Sequence, residues 1–386
     1  MRKVYISGVG MTKIGAHWNQ SLRELFAEAA KKALDDSGNL TPEALIVGNM
    51  SAGELDNQAN LGAYLASYIG LTGVAAFRVE NACSSGGAAF HAGYLAVASG
   101  IYDIVLVGGV EKLTETPTAI TTAALAEAAD QEYEAYFGAS FTTLNALVMR
   151  KYMEHYNVPY EKIANWPLLM HENAANNPYA QLPFKVSKET ILKSPVIADP
   201  IRLFDCSPTG DGAAAVLLIS EDKLNEISMD DRVVVAGVGM ATDTLPLGHR
   251  ESLLTLNASR IAAEKAYKMA KITPKDVNVV ELHDAFSILG IISLEDLGFS
   301  KQGKGASDLE NGKFSRDGEI AVNSSGGLKA RGHPVGATGV YQIAEITLQL
   351  KNAAEKMQVD NAEVGLAHNV GGLGSAVSVT ILKRER

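Results

Sequence analysis

Short apolar runs alternate with amphipathic stretches along the whole chain. VYISGV (4–9), IVLVGGV (104–110), AAAVLLI (213–219), VVVAGV (233–238), VNVVEL (277–282) and AVSVTIL (376–382) are almost continuously apolar. Runs of this length predict strands buried on both faces. Between them, segments such as SLRELFAEAAKKALDDSG (21–38) space their apolar residues three and four apart, which predicts helices with one buried face. Strands alternating with helices predict a layered α/β fold with a mainly parallel sheet.

The pattern also repeats. Gly8-Val9-Gly10-Met11 recurs as Gly237-Val238-Gly239-Met240. Thr41-Pro42 is echoed by Thr273-Pro274, each followed by a short acidic step and an apolar strand. ENACSSGGAA around Cys83 aligns with ARGHPVGATG around His333, with Gly86 opposite Gly336. This shared order predicts two related halves. The first is residues 1–111 with 201–228, and the second is 229–386. Residues 112–200 have no counterpart and are rich in Ala, Tyr, Asn and Pro. They read as an inserted loop subdomain, helical between 138 and 157. Long insertions commonly act as lids or binding loops, and a solvated oligomerisation flap accounts for this one equally well.

Composition narrows the function classes. Of 386 residues, 47% are hydrophobic and 20% charged, which excludes wholesale disorder. A net charge of -10 argues against a nucleic-acid partner. No stretch approaches the roughly 18 apolar residues of a membrane span, so no membrane role is expected. The opening MRKVYISGVG is broken by Gly and Ser and reads as a first strand. Two cysteines, Cys83 and Cys206, make neither a disulfide framework nor a zinc site. A reducing, cytoplasmic setting is therefore expected, and no metal.

Chemistry concentrates at four places. Cys83 lies between an apolar-polar strand and a helix that ends at Gly100, so it falls at a helix N-terminus. Free N–H groups and the helix dipole there are expected to lower its pKa. His333 lies in NSSGGLKARGHPVGATG, a glycine-dense loop entering a second helix, where it is placed to take the Cys83 proton. His283 and Asp284 end the strand VNVVEL. His368 and Asn369 precede Gly371, Gly372 and Gly374, a loop suited to an oxyanion hole. His17, His91, His155, His171 and His249 lack such surroundings. A cysteine-protease reading is disfavoured, because a peptide cleft has no need of four glycine-rich turns around one thiol.

These motifs resemble those of thiolases. Asn81-Ala82-Cys83-Ser84 is similar to the family's nucleophile motif, and Gly332-His333-Pro334-Val335-Gly336 to its histidine signature. His283-Asp284-Ala285-Phe286 is nearer the archaeal and sterol-carrier-protein-type form than the Asn-Glu-Ala-Phe form, and Asp211-Gly212-Ala213-Ala214 also matches. The resemblance spans essentially the whole chain. It implies a five-layered αβαβα fold and the activity of an acetyl-CoA C-acetyltransferase, with coenzyme A thioesters as substrates and no cofactor. It implies acetylation of Cys83, deprotonation by His333, and an oxyanion donor at His283. A second oxyanion hole would lie at the Cys83 N–H and the loop Val370, Gly371 and Gly372, and Ser207 would contact the pantetheine arm. The family's second catalytic cysteine is absent: its two usual positions read His368 and Ala285. His368 or His283 is the expected replacement, with Cys206 structural. Lys185, Lys188, Lys193 and Arg202 form a candidate phosphate contact, balanced against a plain solvated charge run. The family further implies a homodimer or homotetramer, a place in mevalonate synthesis, and a complex with hydroxymethylglutaryl-CoA synthase and a small OB-fold scaffold protein. Acyl transfer to another carbon nucleophile, or a non-catalytic acyl-CoA or lipid binder, stays open as an alternative.

Overall fold

The computed structural model describes residues 1–226 and 232–385. The expected junction between the halves, 228/229, lies outside them. The first half runs β1 (Val4–Met11), α1 (Leu22–Asp36), β2 (Ala44–Gly48), α2 (Leu61–Tyr68), β3 (Ala75–Val79), α3 (Ser85–Ala98) and β4 (Ile104–Glu111). An excursion follows: α4 (Thr118–Ala126), α5 (Phe141–Tyr156), α6 (Tyr160–Ile163), α7 (Asn165–Ala174), α8 (Lys188–Leu192), then β5 (Val196–Ala198) paired with β6 (Ile201–Arg202). The chain returns through β7 (Gly212–Ser220). The second half runs β8 (Val233–Thr242), α9 (Asn257–Ala270), β9 (Val279–Glu281), α10 (Ser287–Asp296), α11 (Gly305–Glu310), β10 (Ala321–Val322), α12 (Gly327–Ala330), α13 (Thr338–Leu350), β11 (Val364–Gly371) and β12 (Ala376–Arg384).

The strand order β10-β9-β11-β12-β8-β1-β7-β4-β2-β3 reads the same outward from its centre in both directions. β1 corresponds to β8, β7 to β12, β4 to β11, β2 to β9 and β3 to β10. Among the described residues, only the strand pairs Tyr5 with Val234 and Ile6 with Val233 join the two five-stranded halves. Within each half the outer three strands are parallel and the inner pairings antiparallel. Each sheet is thus mixed, not mainly parallel. The cause lies in the burial. Strands covered on both faces are apolar throughout, so their sequence carries no mark of direction.

The repeated Gly-Val-Gly has a packing role. A Cβ on Gly8 or Gly10 would sit 2.1 Å from the Ala33 or Ala29 carbonyl oxygen, and one on Gly237 or Gly239 would sit 2.3 or 2.0 Å from those of Ala266 or Ala262. The missing side chains let α1 and α9 lie directly on the outer faces of the two sheets. α3 and α13 fill the space between the sheets and pack on each other. The result is five layers: helix, sheet, paired helices, sheet, helix. The N-termini of α3 and α13 meet almost backbone to backbone. A Cβ on Gly86 would come within 2.9 Å of the Gly336 carbonyl oxygen. This approach brings Cys83 and His333, one just ahead of each helix, to the same spot. Among the described residues, no helix is long and apolar enough to cross a membrane.

Candidate active site

Cys83 stands one residue before Ser84, the N-cap of α3. The preceding Ala82 has φ +51°, a left-handed conformation that costs a non-glycine residue about 1–2 kcal/mol. Local hydrogen bonds hold it there. The Asn81 N–H donates to Ser85 Oγ at 2.8 Å, the Ser85 hydroxyl to the Ala82 carbonyl at 2.6 Å, and the Ala82 N–H to Glu80 at 2.6 Å. The turn points the thiol into a cavity of about 190 Å³, which His283, His333, Ser207, Phe286 and Gly372 also line.

His333 reaches Cys83 from the opposite helix. Its Nδ1 lies 2.7 Å from Thr338 Oγ1, whose hydroxyl donates to the Pro334 carbonyl at 3.1 Å. The threonine oxygen therefore accepts from Nδ1–H, and Nε2 is left with a free lone pair. His283 follows β9 and stacks edge-on against His333, with ring centroids 4.9 Å apart. A ligating atom from each of Cys83, His283 and His333 lies within 4.8 Å of the others. That Cys-His-His donor set is spread too far along the chain to be seen as a metal-type spacing. Asp284 turns away from the cavity. It accepts from Trp166 Nε1 at 2.9 Å and from the Leu328 N–H at 2.7 Å, tying the excursion to the second half.

Burial sets the protonation states. It pushes the Cys83 thiol up to about 12, with the Glu111 carboxylate adding to the rise. The N–H groups of Gly372 and of Cys83 itself oppose that rise by hydrogen bonding to the sulfur. The expected lowering by the helix terminus therefore does not occur, because desolvation outweighs the few exposed N–H dipoles. Burial also lowers His333 to about 3, with Arg331 contributing, and holds His283 well below its ordinary value. The resting pair is a neutral thiol beside a neutral imidazole. Proton transfer then has to accompany attack by the sulfur.

His368 is not in the cavity. Its Nε2 lies 2.9 Å from Ser259 Oγ on α9, and burial alone lowers it to about 3. Along β11 successive side chains alternate between faces, and Asn369 is the one that turns toward Cys83. Its Nδ2 donates to the Cys83 carbonyl at 3.0 Å and lies 3.1 Å from His283 Nδ1, while its Oδ1 accepts from the Gly87 N–H at 3.1 Å. Val370 packs into the apolar core of the second half. Gly371 lies against the nucleophile turn, where a Cβ would meet the Asn81 carbonyl oxygen at 2.6 Å. Of that loop, Gly372 alone lines the cavity, with φ +58°.

Ser207 lines the wall beside Ala285, to whose carbonyl its N–H donates at 2.9 Å. Cys206 borders the same wall, but its thiol faces the Arg202 carbonyl at 3.7 Å, and burial raises it to about 12. The basic stretch is largely engaged elsewhere. Lys193 pairs with Glu189, Lys188 donates to Asn165, and Arg202 donates to the Ser194 carbonyl.

Sequence reasoning missed Glu111. It ends β4, is fully buried, and accepts from the N–H groups of Met50, Ser51 and Gly336 at 2.9 Å each, and from Asn49 Nδ2 at 3.0 Å. It thereby anchors the His333 loop to the first half. The signal was present: a lone acid closing the apolar run IVLVGGVE.

Residues 4–222 match the thiolase N-terminal domain, and residues 239–384 match the thiolase C-terminal domain-like family. The chain belongs to the thiolase family. It is 46% identical over its full length to an acetyl-CoA acetyltransferase of Methanothermobacter thermautotrophicus, which it also covers completely. It is 32% identical to human sterol carrier protein 2, with 99% of this chain and 72% of that protein aligned. Among solved structures, the Ltp2-ChsH2(DUF35) aldolase superposes with a TM-score of 0.86 at 20% identity, covering 100% of this chain and 98% of that one.

Proposed function

We propose that the protein is an acetyl-CoA C-acetyltransferase, which joins two acetyl-CoA molecules into acetoacetyl-CoA or runs the thiolysis back. The observation that carries this reading is the convergence of Cys83, His283 and His333 within 4.8 Å at the floor of one cavity. The full-length likeness to an archaeal acetyl-CoA acetyltransferase supports it. Coenzyme A enters as substrate, and the chemistry needs no resident cofactor.

Cys83 Sγ attacks the thioester carbonyl of acetyl-CoA as His333 Nε2 takes the thiol proton. The Cys83 and Gly372 N–H groups, the two that oppose the rise in the thiol pKa, stabilise the oxyanion. Collapse expels coenzyme A thiolate, which receives the proton from His333. A second acetyl-CoA then gives an α-proton to the neutral His333 Nε2 while His283 faces its thioester oxygen. The resulting carbon attacks acetyl-Cys83, and acetoacetyl-CoA leaves as Cys83 regains a proton. Ser207 stands beside the path of the pantetheine arm. Among the described residues β3 is an edge strand, and a second copy would pair there in the proposed homo-oligomer.

The test mixes the protein with acetoacetyl-CoA and free coenzyme A and follows the acetoacetyl absorbance. Rapid loss, abolished by Cys83→Ala, is expected. No loss, while a separate incubation with acetyl-CoA leaves a stable acetyl group on Cys83, overturns the reading in favour of transfer to a different carbon nucleophile.

A further inference from the structure

We propose that Asn369 is a positioning residue that locks the His283 proton on Nε2, so that His333 serves as the single base for both proton transfers. This rests on the activity proposed above and specifies how one site carries it out without a second catalytic cysteine.

Two backbone groups fix the Asn369 amide. The Gly87 N–H donates to one end, so that end is the oxygen. The Cys83 carbonyl accepts from the other end, so that end is the NH₂. The same NH₂ faces His283 Nδ1 at 3.1 Å. A donor there requires Nδ1 to accept, which places the imidazole proton on Nε2. A neutral imidazole with its proton on Nε2 donates a hydrogen bond and cannot abstract a proton through that atom. His333 has the opposite tautomer, because Thr338 accepts from its Nδ1–H. The two stacked rings thus carry opposite roles: a fixed donor and a fixed base.

Other bases near the site are occupied. Every carboxylate oxygen of Glu111 accepts backbone N–H groups, and Asp284 accepts from Trp166 and Leu328. His368 is bonded to Ser259 outside the cavity, and the Cys206 thiol faces a carbonyl. The proton count closes with His333 alone. It takes the Cys83 proton and hands it to the departing coenzyme A thiolate, which leaves it neutral again. It then takes the α-proton of the second acetyl-CoA, with His283 Nε2–H on the developing enolate oxygen. Finally it returns that proton to the Cys83 sulfur released when the new C–C bond forms. The same tautomer leaves His283 Nε2 without a free lone pair for a metal ion.

The test uses protein labelled with ¹⁵N-histidine, with His283→Gln and His333→Gln identifying the two resonances. The expected result is His283 protonated on Nε2 and His333 on Nδ1. Asn369→Asp presents a carboxylate to His283 Nδ1 and reverses its tautomer while still accepting from Gly87. Thiolysis kcat is then expected to fall by about 10²-fold or more, the usual loss for one oxyanion donor. Acetylation of Cys83 by acetyl-CoA, which uses the backbone oxyanion pair and loses only the amide donor to the Cys83 carbonyl, is expected to fall at least about tenfold less than thiolysis. A wild-type His283 protonated on Nδ1 overturns the proposal. Equal loss of acetylation and thiolysis in the Asn369→Asp protein also overturns it. Failure of the proposed activity shows differently: the wild-type tautomers as expected, but neither Cys83 acetylation nor thiolysis.

Discussion

Replacing Glu111 by Gln removes one acceptor oxygen from the joint between the two halves and keeps the side-chain shape. One carboxylate oxygen accepts from the Met50 and Gly336 N–H groups, both at 2.9 Å. The other accepts from Asn49 Nδ2 and the Ser51 N–H, at 3.0 and 2.9 Å. Whichever way the amide turns, its NH₂ faces at least two buried N–H donors. Each donor left unsatisfied costs about 1–3 kcal/mol, so the variant should lose about 2–6 kcal/mol of stability. A second effect opposes this one. The Glu111 charge raises the Cys83 thiol, and its loss would favour the thiolate. Burial, the larger cause of that rise, stays in place, so the geometric loss should win. Urea unfolding measures the first effect, and pre-steady-state acetylation of Cys83 the second. Acetylation should slow about tenfold or more as Gly336 releases the His333 loop, since small misplacements of reacting groups cost one to two orders of magnitude. Stability within about 0.5 kcal/mol of wild type, far short of the deficit two orphaned donors impose, with unchanged or faster acetylation, would refute the reasoning.

Three further outcomes follow from the same geometry. Gly86→Ala puts a Cβ 2.9 Å from the Gly336 carbonyl oxygen and 3.0 Å from the Gly339 nitrogen, so α3 and α13 must separate. Overpacking of this kind costs about 1–3 kcal/mol, and kcat should fall about tenfold as Cys83 moves away from His333. A variant with wild-type kcat would show that the helix contact does not set the catalytic distance. Alkylation of Cys83 by iodoacetamide should rise steadily with pH toward its thiol value of about 12. A plateau already at neutral pH would reveal a thiolate–imidazolium pair that the buried site does not support. His368→Ala should destabilise the fold by about 2–4 kcal/mol, from the vacated volume and the orphaned Ser259, while thiolysis stays within about threefold. Loss of thiolysis with intact acetylation would return His368 to the proton path.

The two-half architecture was legible because the repeat is a packing constraint. Gly8-Val9-Gly10 and Gly237-Val238-Gly239 recur since each lets a helix carbonyl touch a strand. The pairing of Cys83 with His333 was legible for the same reason, with Gly86 against Gly336 at the symmetry position. Strand direction was hidden, because two-sided burial erases the alternation that would reveal it. At His368 and Asn369, alignment with a missing cysteine drew attention to the residue that faces Ser259 on α9, and its neighbour is the one that faces Cys83. A period of two sends them to opposite faces, but only the register of β11 says which face meets Cys83. The Cys83 pKa was misjudged because a helix start is visible in sequence and the depth of burial around it is not.

The most direct test of the account is to mix the protein with acetoacetyl-CoA in the absence of free coenzyme A and map the covalent product. The expected result is one acetyl group on the peptide containing Cys83, which added coenzyme A discharges as acetyl-CoA. An acetyl group on Cys206, or turnover with Cys83 never modified, would contradict it.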